Sequence, residues 1–465
     1  MRVVVLIKIF PRGLFIPAIL LNIQEIVSLC TAARVGIERF YRIAQEGSWV
    51  VGGQVLVVIG ALAGVRLLTS LLDPAQYGEI TLGMTAAALI NQLIFGPLSN
   101  GISRFYAPAT EQRDLGSYLI ASCRLMLQAS GLIGLLIIFV FAGLLLTGKW
   151  EWLGLAVGTL LFSIFSGCNE VMNGIQNAAR HRSIVTLHRG LEPWCRFLTA
   201  AALIVLLGAN STAAIAGYVI ATIFVLISQY IFLRRRMPQR NADAETARKW
   251  RERIWEFSAP FAIWGVFTWA QIASDRWALG YFRSTQDVGL YAVLFQLGYY
   301  PMSLASDLVI QFLTPILFQR MGNSADGRQN AGVSRISWHL TAWVLAVTAA
   351  AFAAALLFHS YIFGLFVAAK YASVSYLLPW MILIGGMFAA GQTLSINLLC
   401  HMRSRALLPV KVTTAIIGTV LNFAGAWWLG ITGIIIAGGL FSIMYFIWSA
   451  ALIIFPIKKG EFGKT

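Results

Sequence analysis

Charge is what this chain has least of. Only 12 % of its 465 residues are charged, and Asp and Glu number 19 against 35 Lys and Arg. Cysteine is sparse too: Cys30, Cys123, Cys168, Cys195 and Cys400 are scattered, form no CxxC pair, and mostly lie in or beside apolar stretches. A disulfide framework and a zinc ribbon are thereby excluded, and small buried hydrophobes are the expectation. The five histidines include no HExxH; His181 and His188 fall in a basic segment and are expected to be solvated. No serine sits in GxSxG, and no glycine run has the form of a phosphate-cradling loop. With no catalytic, cofactor or metal constellation in view, the chain is not expected to be an enzyme or to need a cofactor.

What is abundant is apolar length. Twelve spans read out near 47–72, 80–101, 125–147, 152–172, 190–208, 212–233, 255–282, 288–313, 338–358, 374–400, 407–428 and 431–455. A β-barrel would alternate instead of running apolar, so the expected class is an all-α polytopic membrane protein. Lys and Arg sort sharply across these spans. Twenty-nine of the 35 fall on one side, Lys149, Arg283 and Lys370 on the other, and Arg66, Arg196 and Arg276 inside spans. Lys411 counts among the 29, with Arg403 and Arg405. The basic side is cytoplasmic by the positive-inside rule, which places both termini there. The formal charge of +16 then reflects attraction to the anionic lipids of the cytoplasmic leaflet and does not call for a nucleic acid. Trp49, Trp150, Trp152, Trp255, Trp338, Trp427 and Trp448 lie near span ends and read as interfacial anchors.

The halves look related. Pro74-Ala75-Gln76-Tyr77-Gly78-Glu79 follows the first span, and Thr285-Gln286-Asp287-Val288-Gly289-Leu290-Tyr291 follows the seventh. Superposing Gly78 on Gly289 puts Arg66 one residue from the position of Arg276. Six spans per half make the repeats parallel, with a cleft between them, a common transporter plan. The expected organisation is a leader over 1–46, a six-helix bundle over 47–233, a basic cytoplasmic linker over 234–253, a second bundle over 254–456 and a basic tail over 457–465. Within the leader, the apolar run from Gly13 to Ile23 is too short to span and is broken by Pro17. It lacks a clean small-residue cleavage site, and Leu29 before Cys30 argues against a lipoprotein signal. It reads as a cytoplasmic or surface-lying leader, or as the product of a mis-assigned start.

A charge at mid-span costs about 2.5–3.5 kcal/mol, so each needs a reason. Arg66 and Arg276 sit about two turns from the outer ends of their spans. Two readings stand: they snorkel to the interface, or they face a shared cleft and attract an anion. Asp275 points about 100° away from Arg276 and is free to serve another helix or to carry a proton. Glu192 and Arg196 are four apart, Glu first, the favourable order for an ion pair within one helix. Asp307 has no cation at helical spacing. Pro260, Pro301 and Pro379 fall inside spans and release backbone groups that neighbours must satisfy.

Leu71-Leu72-Asp73-Pro74-Ala75-Gln76-Tyr77-Gly78 resembles the L-x-P-x-x-Y-G signature of Wzx-type lipid-linked oligosaccharide flippases. These form the polysaccharide-transport branch of the multidrug/oligosaccharidyl-lipid/polysaccharide exporter superfamily. Phe95-Gly96-Pro97-Leu98-Ser99-Asn100-Gly101-Ile102-Ser103-Arg104 is similar to the same family's F-G-x-x-x-x-I-x-R. Ser274-Asp275-Arg276-Trp277-Ala278-Leu279 with Asp287-Val288-Gly289-Leu290-Tyr291 resembles its D-R-x-x-L … V-G-x-Y. The resemblance covers roughly residues 47–455. It implies a bacterial inner-membrane flippase that turns a polyprenyl-diphosphate-linked glycan from the cytoplasmic to the outer leaflet by alternating access, for O-antigen, capsule or exopolysaccharide synthesis. Polymerase and other polysaccharide-assembly proteins are the partners it implies. On that picture Arg66, Arg196 and Arg276 are candidate diphosphate or sugar contacts, and Asp275, Asp307 and Glu192 are candidates for ion coupling; only Asp275 and Arg276 fall on a family motif. The rivals are a multidrug/cation antiporter of the same superfamily, which would want acidic cleft residues, a peptidoglycan lipid-precursor flippase, which usually has fourteen spans against the twelve here, and a membrane polysaccharide polymerase or ligase, which would want a large charged outer loop.

Overall fold

A computed structural model describes residues 52–236, 243–321, 327–400 and 404–455. The leader, the middle of the basic linker and the tail lie outside the described residues. The chain's own contacts separate two units, Met1–Val55 and Leu56–Thr465, and the helix crossings and cavities all belong to the second.

Among the described residues all regular structure is helical, in twelve helices. The first half comprises α1 (Gly52–Leu71), α2 (Pro74–Glu111), α3 (Leu115–Leu146), α4 (Leu153–Ala178), α5 (Arg182–Leu207) and α6 (Ser211–Arg236). In the second, α7 (Ala244–Phe282) is followed by α8, which runs Thr285–Leu294 and then Tyr300–Met321. After it come α9 (Gly327–Phe366), α10 (Leu378–Cys400), α11 (Ser404–Leu429) and α12 (Ile431–Ile454). This is a multi-pass membrane protein built as two parallel six-helix bundles. Several helices extend past the apolar runs on the basic side. His188 is a consequence: expected to be solvated, it is buried in α5, its imidazole 2.8 Å from the Ile184 carbonyl and 3.0 Å from Ser228 Oγ of α6. Cys168 and Cys400 are buried, whereas Cys123 is exposed.

The turns repeat between the halves. Asp73 is extended and Pro74 opens α2, where its missing N–H and fixed φ cost nothing. The equivalent start of α8 is capped by Ser284, whose hydroxyl accepts the Asp287 N–H at 3.1 Å. Gly208, at φ +103°, ends α5, and Gly430, at φ +61°, separates α11 from α12; both conformations favour glycine. Short 3₁₀ turns precede α4 (Trp150–Trp152) and α10 (Ala369–Leu377).

Packing repeats as well. In the first half α2 packs on α4, α3 on α4, α4 on α6 and α5 on α6. In the second α8 packs on α10, α9 on α10, α10 on α12 and α11 on α12. The α1–α5 contact, where Trp194 and Phe197 cover Gly60 and Gly64, matches the contact of α7 with α11. The halves meet where α2 crosses α8. A Cβ on Gly78 would overlap the Thr285 carbonyl, and one on Gly289 would overlap the Pro74 carbonyl. That reciprocity is what a two-fold relation between α2 and α8 requires. Lipid supplies no hydrophobic drive between helices, so close approach at small residues carries the association.

Among the described residues, ten helices are long and apolar enough to cross a membrane by composition alone. The most polar interior stretches lie in α7, with Gln271, Ser274, Asp275 and Arg276, and in α8, with Gln296, Ser303, Ser306 and Asp307. These two helices also wall the cavities that hold the charged residues.

Candidate functional site

The site begins at the C-terminal third of α7. Asp275 and Arg276 are only 7 % and 6 % exposed, so neither charge is left to solvent. Although neighbours point apart on a helix, the Asp275 carboxylate folds back, accepting the Arg276 N–H at 2.7 Å and lying 3.4 Å from Nη1. Its other oxygen accepts from the Tyr291 hydroxyl of α8 at 2.6 Å, so it serves another helix as well. The guanidinium donates to the Ile272 carbonyl at 2.8 Å and stacks 4.0 Å above the Phe295 ring. Phe295 opens a π-turn (Phe295–Tyr299) immediately before Tyr300-Pro301. α2 has the same device, a π-turn over Asn91–Phe95 before Gly96-Pro97. Proline cannot donate and crowds the preceding turn, so a widened turn accommodates it, and such turns are frequent at functional sites.

Across the interface, α5 presents Arg196. Its guanidinium donates to Glu192 Oε1 one turn earlier and lies 4.8 Å over the Phe162 ring. Its Nε is buried, and among the described residues it has no hydrogen-bond partner. Arg196 and Arg276, one from each half, line a single cavity of about 510 Å³. Tyr77, Thr81 and Thr85 of α2 and Gln296 and Tyr300 of α8 complete its polar wall. The Glu192–Arg196 pairing read from the i,i+4 spacing is present as a contact.

Arg66 does not line that cavity. It is exposed at the end of α1, where its guanidinium donates to the carbonyls of Gly364 and Val367 at the end of α9. Three further contacts surround it. Ala368 N–H donates to Thr69 Oγ1 at 3.3 Å, Tyr371 OH to the Leu72 carbonyl at 2.9 Å, and Lys370 pairs with Asp73 at 3.0 Å. Together they tie the end of α1 to the α9–α10 connection of the other half. Asp307 lies elsewhere again, in a second cavity of about 430 Å³ inside the second half, together with Lys411. Lys411 was not anticipated as a site residue. It sits within α11 between Val410 and Val412, and an ammonium flanked by apolar residues on both sides was the signal that could have found it. Among the described residues, no group of three His, Cys, Asp or Glu comes together to hold a metal ion.

Residues 43–321, more than half of the chain, match the family described as polysaccharide biosynthesis protein. The chain belongs to this family. No curated protein matches the sequence significantly. Solved structures reveal the fold. An inward-facing multidrug resistance MATE family transporter of the MOP superfamily superposes with a TM-score of 0.68 at 16 % identity, covering 87 % of this chain and 96 % of that one. The lipid II flippase MurJ in an inward closed conformation gives 0.64 at 11 % identity, over 88 % of this chain and 87 % of that one. A MOP superfamily transporter from Pyrococcus furiosus, described as having a binding pocket of reversed polarity, gives 0.55 at 16 % identity, over 88 % and 95 %. This member of the polysaccharide biosynthesis family therefore has the fold of the MOP superfamily transporters.

Proposed function

We propose that the protein is a flippase that carries a polyprenyl-diphosphate-linked oligosaccharide from the cytoplasmic to the outer leaflet of a bacterial inner membrane, by alternating access, for surface polysaccharide synthesis. Arg196 and Arg276 facing one cavity from opposite halves is the observation that carries this reading. A diphosphate brings about two negative charges, and guanidinium groups are the side chains best suited to meet phosphate in a low-dielectric site. Each arginine is in contact with a carboxylate, Arg196 with Glu192 and Arg276 with Asp275, which a bound phosphate would have to displace. A cation antiporter would instead want a carboxylate facing the arginine cavity; none of its described lining residues is one, and Asp307 lies in the separate second cavity.

The contacts around Arg66 give the cycle its closed end. On the charge-derived topology, with both termini cytoplasmic, α1 and α9 end at the outer surface, so these bonds shut the cavity from outside. The polyprenyl chain stays in lipid beside the two halves. Anionic cytoplasmic lipids and polysaccharide-assembly proteins are the partners this reading entails.

Reconstitution tests it directly. The purified full chain, placed in liposomes with a polyprenyl-diphosphate-linked oligosaccharide extracted from cells that use the protein, should accelerate exposure of the glycan to a lectin on the opposite leaflet. No acceleration by folded protein would reject the proposal, and proton-driven export of an organic cation in its place would support the antiporter.

A further inference from the structure

We infer that the cavity within the second half is a saccharide subsite, with Lys411 as a specificity-determining residue. The inference rests on the flippase reading and adds a place for the sugar. This chamber and the arginine cavity are adjacent, because Phe295, which opens the π-turn in α8, and Tyr300, which follows it, line both. A ligand whose diphosphate meets Arg276 can thus extend past that turn into the second chamber.

A ladder of aromatic rings marks the route. The Arg276 guanidinium lies on Phe295, Phe295 stacks on Tyr299 at 4.6 Å with 20° between planes, and Tyr299 stacks on Phe388 at 6.0 Å. Phe388 in turn lies 5.2 Å from Tyr445. Aromatic faces suit the C–H faces of a pyranose ring, whereas sugar hydroxyls need donors and acceptors at the edges. The chamber supplies these from the amides of Gln271 and Gln392, the Asp307 carboxylate and the Lys411 ammonium. The Gln392 amide is held in place by Tyr445, whose hydroxyl donates to its oxygen at 3.0 Å.

Lys411 differs from the arginines of the first cavity. Arg196 and Arg276 each carry a carboxylate in contact, but among the described residues no carboxylate lies within ion-pair distance of Lys411. Its ammonium rests 5.9 Å from the Trp264 ring and also lines a neighbouring pocket with Gln392 and Ser395. A lysine inside a membrane helix without such a partner is costly to keep, and a hydroxyl-rich ligand that accepts its hydrogen bonds gives it a role. Asp307, on the opposing helix α8, takes the donor side of the same ligand.

Photocrosslinking in polysaccharide-producing cells separates the possibilities. p-Benzoylphenylalanine would replace Phe388 in the second chamber, Met84 in the arginine cavity, or lipid-facing Phe139 as control, always in the full chain. Irradiated protein is then treated with mild acid, which cleaves the glycosyl–diphosphate bond, and its peptides are weighed. The inference expects an adduct at position 388 that keeps sugar mass after acid, and an adduct at 84 that keeps polyprenyl mass and no sugar after acid. The variant K411M should lower the 388 sugar adduct about tenfold relative to the 84 adduct, the scale of one charge-assisted hydrogen bond. A polyprenyl mass at 388, or an adduct at 84 with none at 388, would overturn the subsite while leaving the flippase reading intact. Equal loss of both adducts in K411M would refute a specificity role for that lysine. Lipid-linked adducts at neither chamber position would sink the flippase reading and the subsite with it.

Discussion

Arg276 is the residue on which the transport reading can be tested hardest, provided charge is separated from stability. Arg276→Ala alone is a poor probe. It would leave Asp275, 7 % exposed, buried without its cation, and breaking such a pair typically costs about 3–5 kcal/mol. It also removes the stack on Phe295, worth up to about 2 kcal/mol when desolvated. Loss of function could then be loss of fold. The double substitution Asp275→Asn with Arg276→Gln removes both charges together, and replacing a whole buried pair is often close to neutral. An asparagine at 275 can still accept the Tyr291 hydroxyl, so the α7–α8 contact survives. We expect this variant to melt near the parent temperature in detergent. Its glycan transport should fall about 10- to 150-fold, the range set by about 1.5–3 kcal/mol for one hydrogen bond to a charged phosphate. Arg276→Lys should lie between, since an ammonium keeps the charge but not the planar fork. The assay pairs a thermal melt with lectin-detected flipping in liposomes. Parent-like transport by the well-folded double variant would show that no diphosphate needs this cation, and the central claim would fall.

Other contacts carry further expectations. Gly289→Val places carbon against the Pro74 carbonyl, which a rotamer change cannot relieve; it should splay the α2–α8 crossing and raise labelling of a cysteine at Thr81 by an impermeant maleimide added outside. Unchanged labelling would mean the crossing does not close the cavity. Arg66→Ala combined with Lys370→Ala should likewise favour the outward-open form, with modest effect on stability because both groups are partly solvated; a variant as closed as the parent would return Arg66 to a snorkelling role. Cysteines at Asn210, Asp287 and Thr432 should be labelled from outside, and one at Gln112 only after permeabilisation; an inside location for Asp287 would undo the parallel arrangement of the halves.

Most of the fold was legible because bilayer thickness and the positive-inside rule act on every span independently. Each of the twelve apolar runs became a helix, and the misreadings lie at helix ends, on the basic side and also on the other, where α2 already starts at Pro74 and α9 continues to Phe366. On the basic side polar helix continues beyond the apolar stretch, as in α5, whose early start at Arg182 buries His188 against Ser228. Hydropathy sees where lipid begins and is blind to where hydrogen bonding stops. The duplication was visible in six or seven residues around Gly78 and Gly289. Those are the positions where a side chain would collide with the other half's backbone, so the sterics that hold the halves together also left the most readable mark.

The site was legible only in part, because sequence spacing reports relations along one helix. Glu192 with Arg196 is such a relation and could be read; Asp275 with Tyr291, or Arg66 with Gly364, joins helices and could not. Intramembrane cost singled out three arginines equally, yet the structure gives them different surroundings. Arg66 satisfies itself on helix-end carbonyls, which favours a structural contact, whereas Arg196 and Arg276 share a cavity. Lys411 shows the converse error. Counted with the cytoplasmic charges because it follows Arg403 and Arg405, it lies two turns inside α11, where a point charge faces aromatic rings and amides instead of lipid headgroups. A net count of basic residues cannot distinguish a cation that orients a helix from one that greets a ligand. The distinguishing property is whether a carboxylate already answers the charge. Of the three cations lining these two chambers, Lys411 is the one that has none among the described residues.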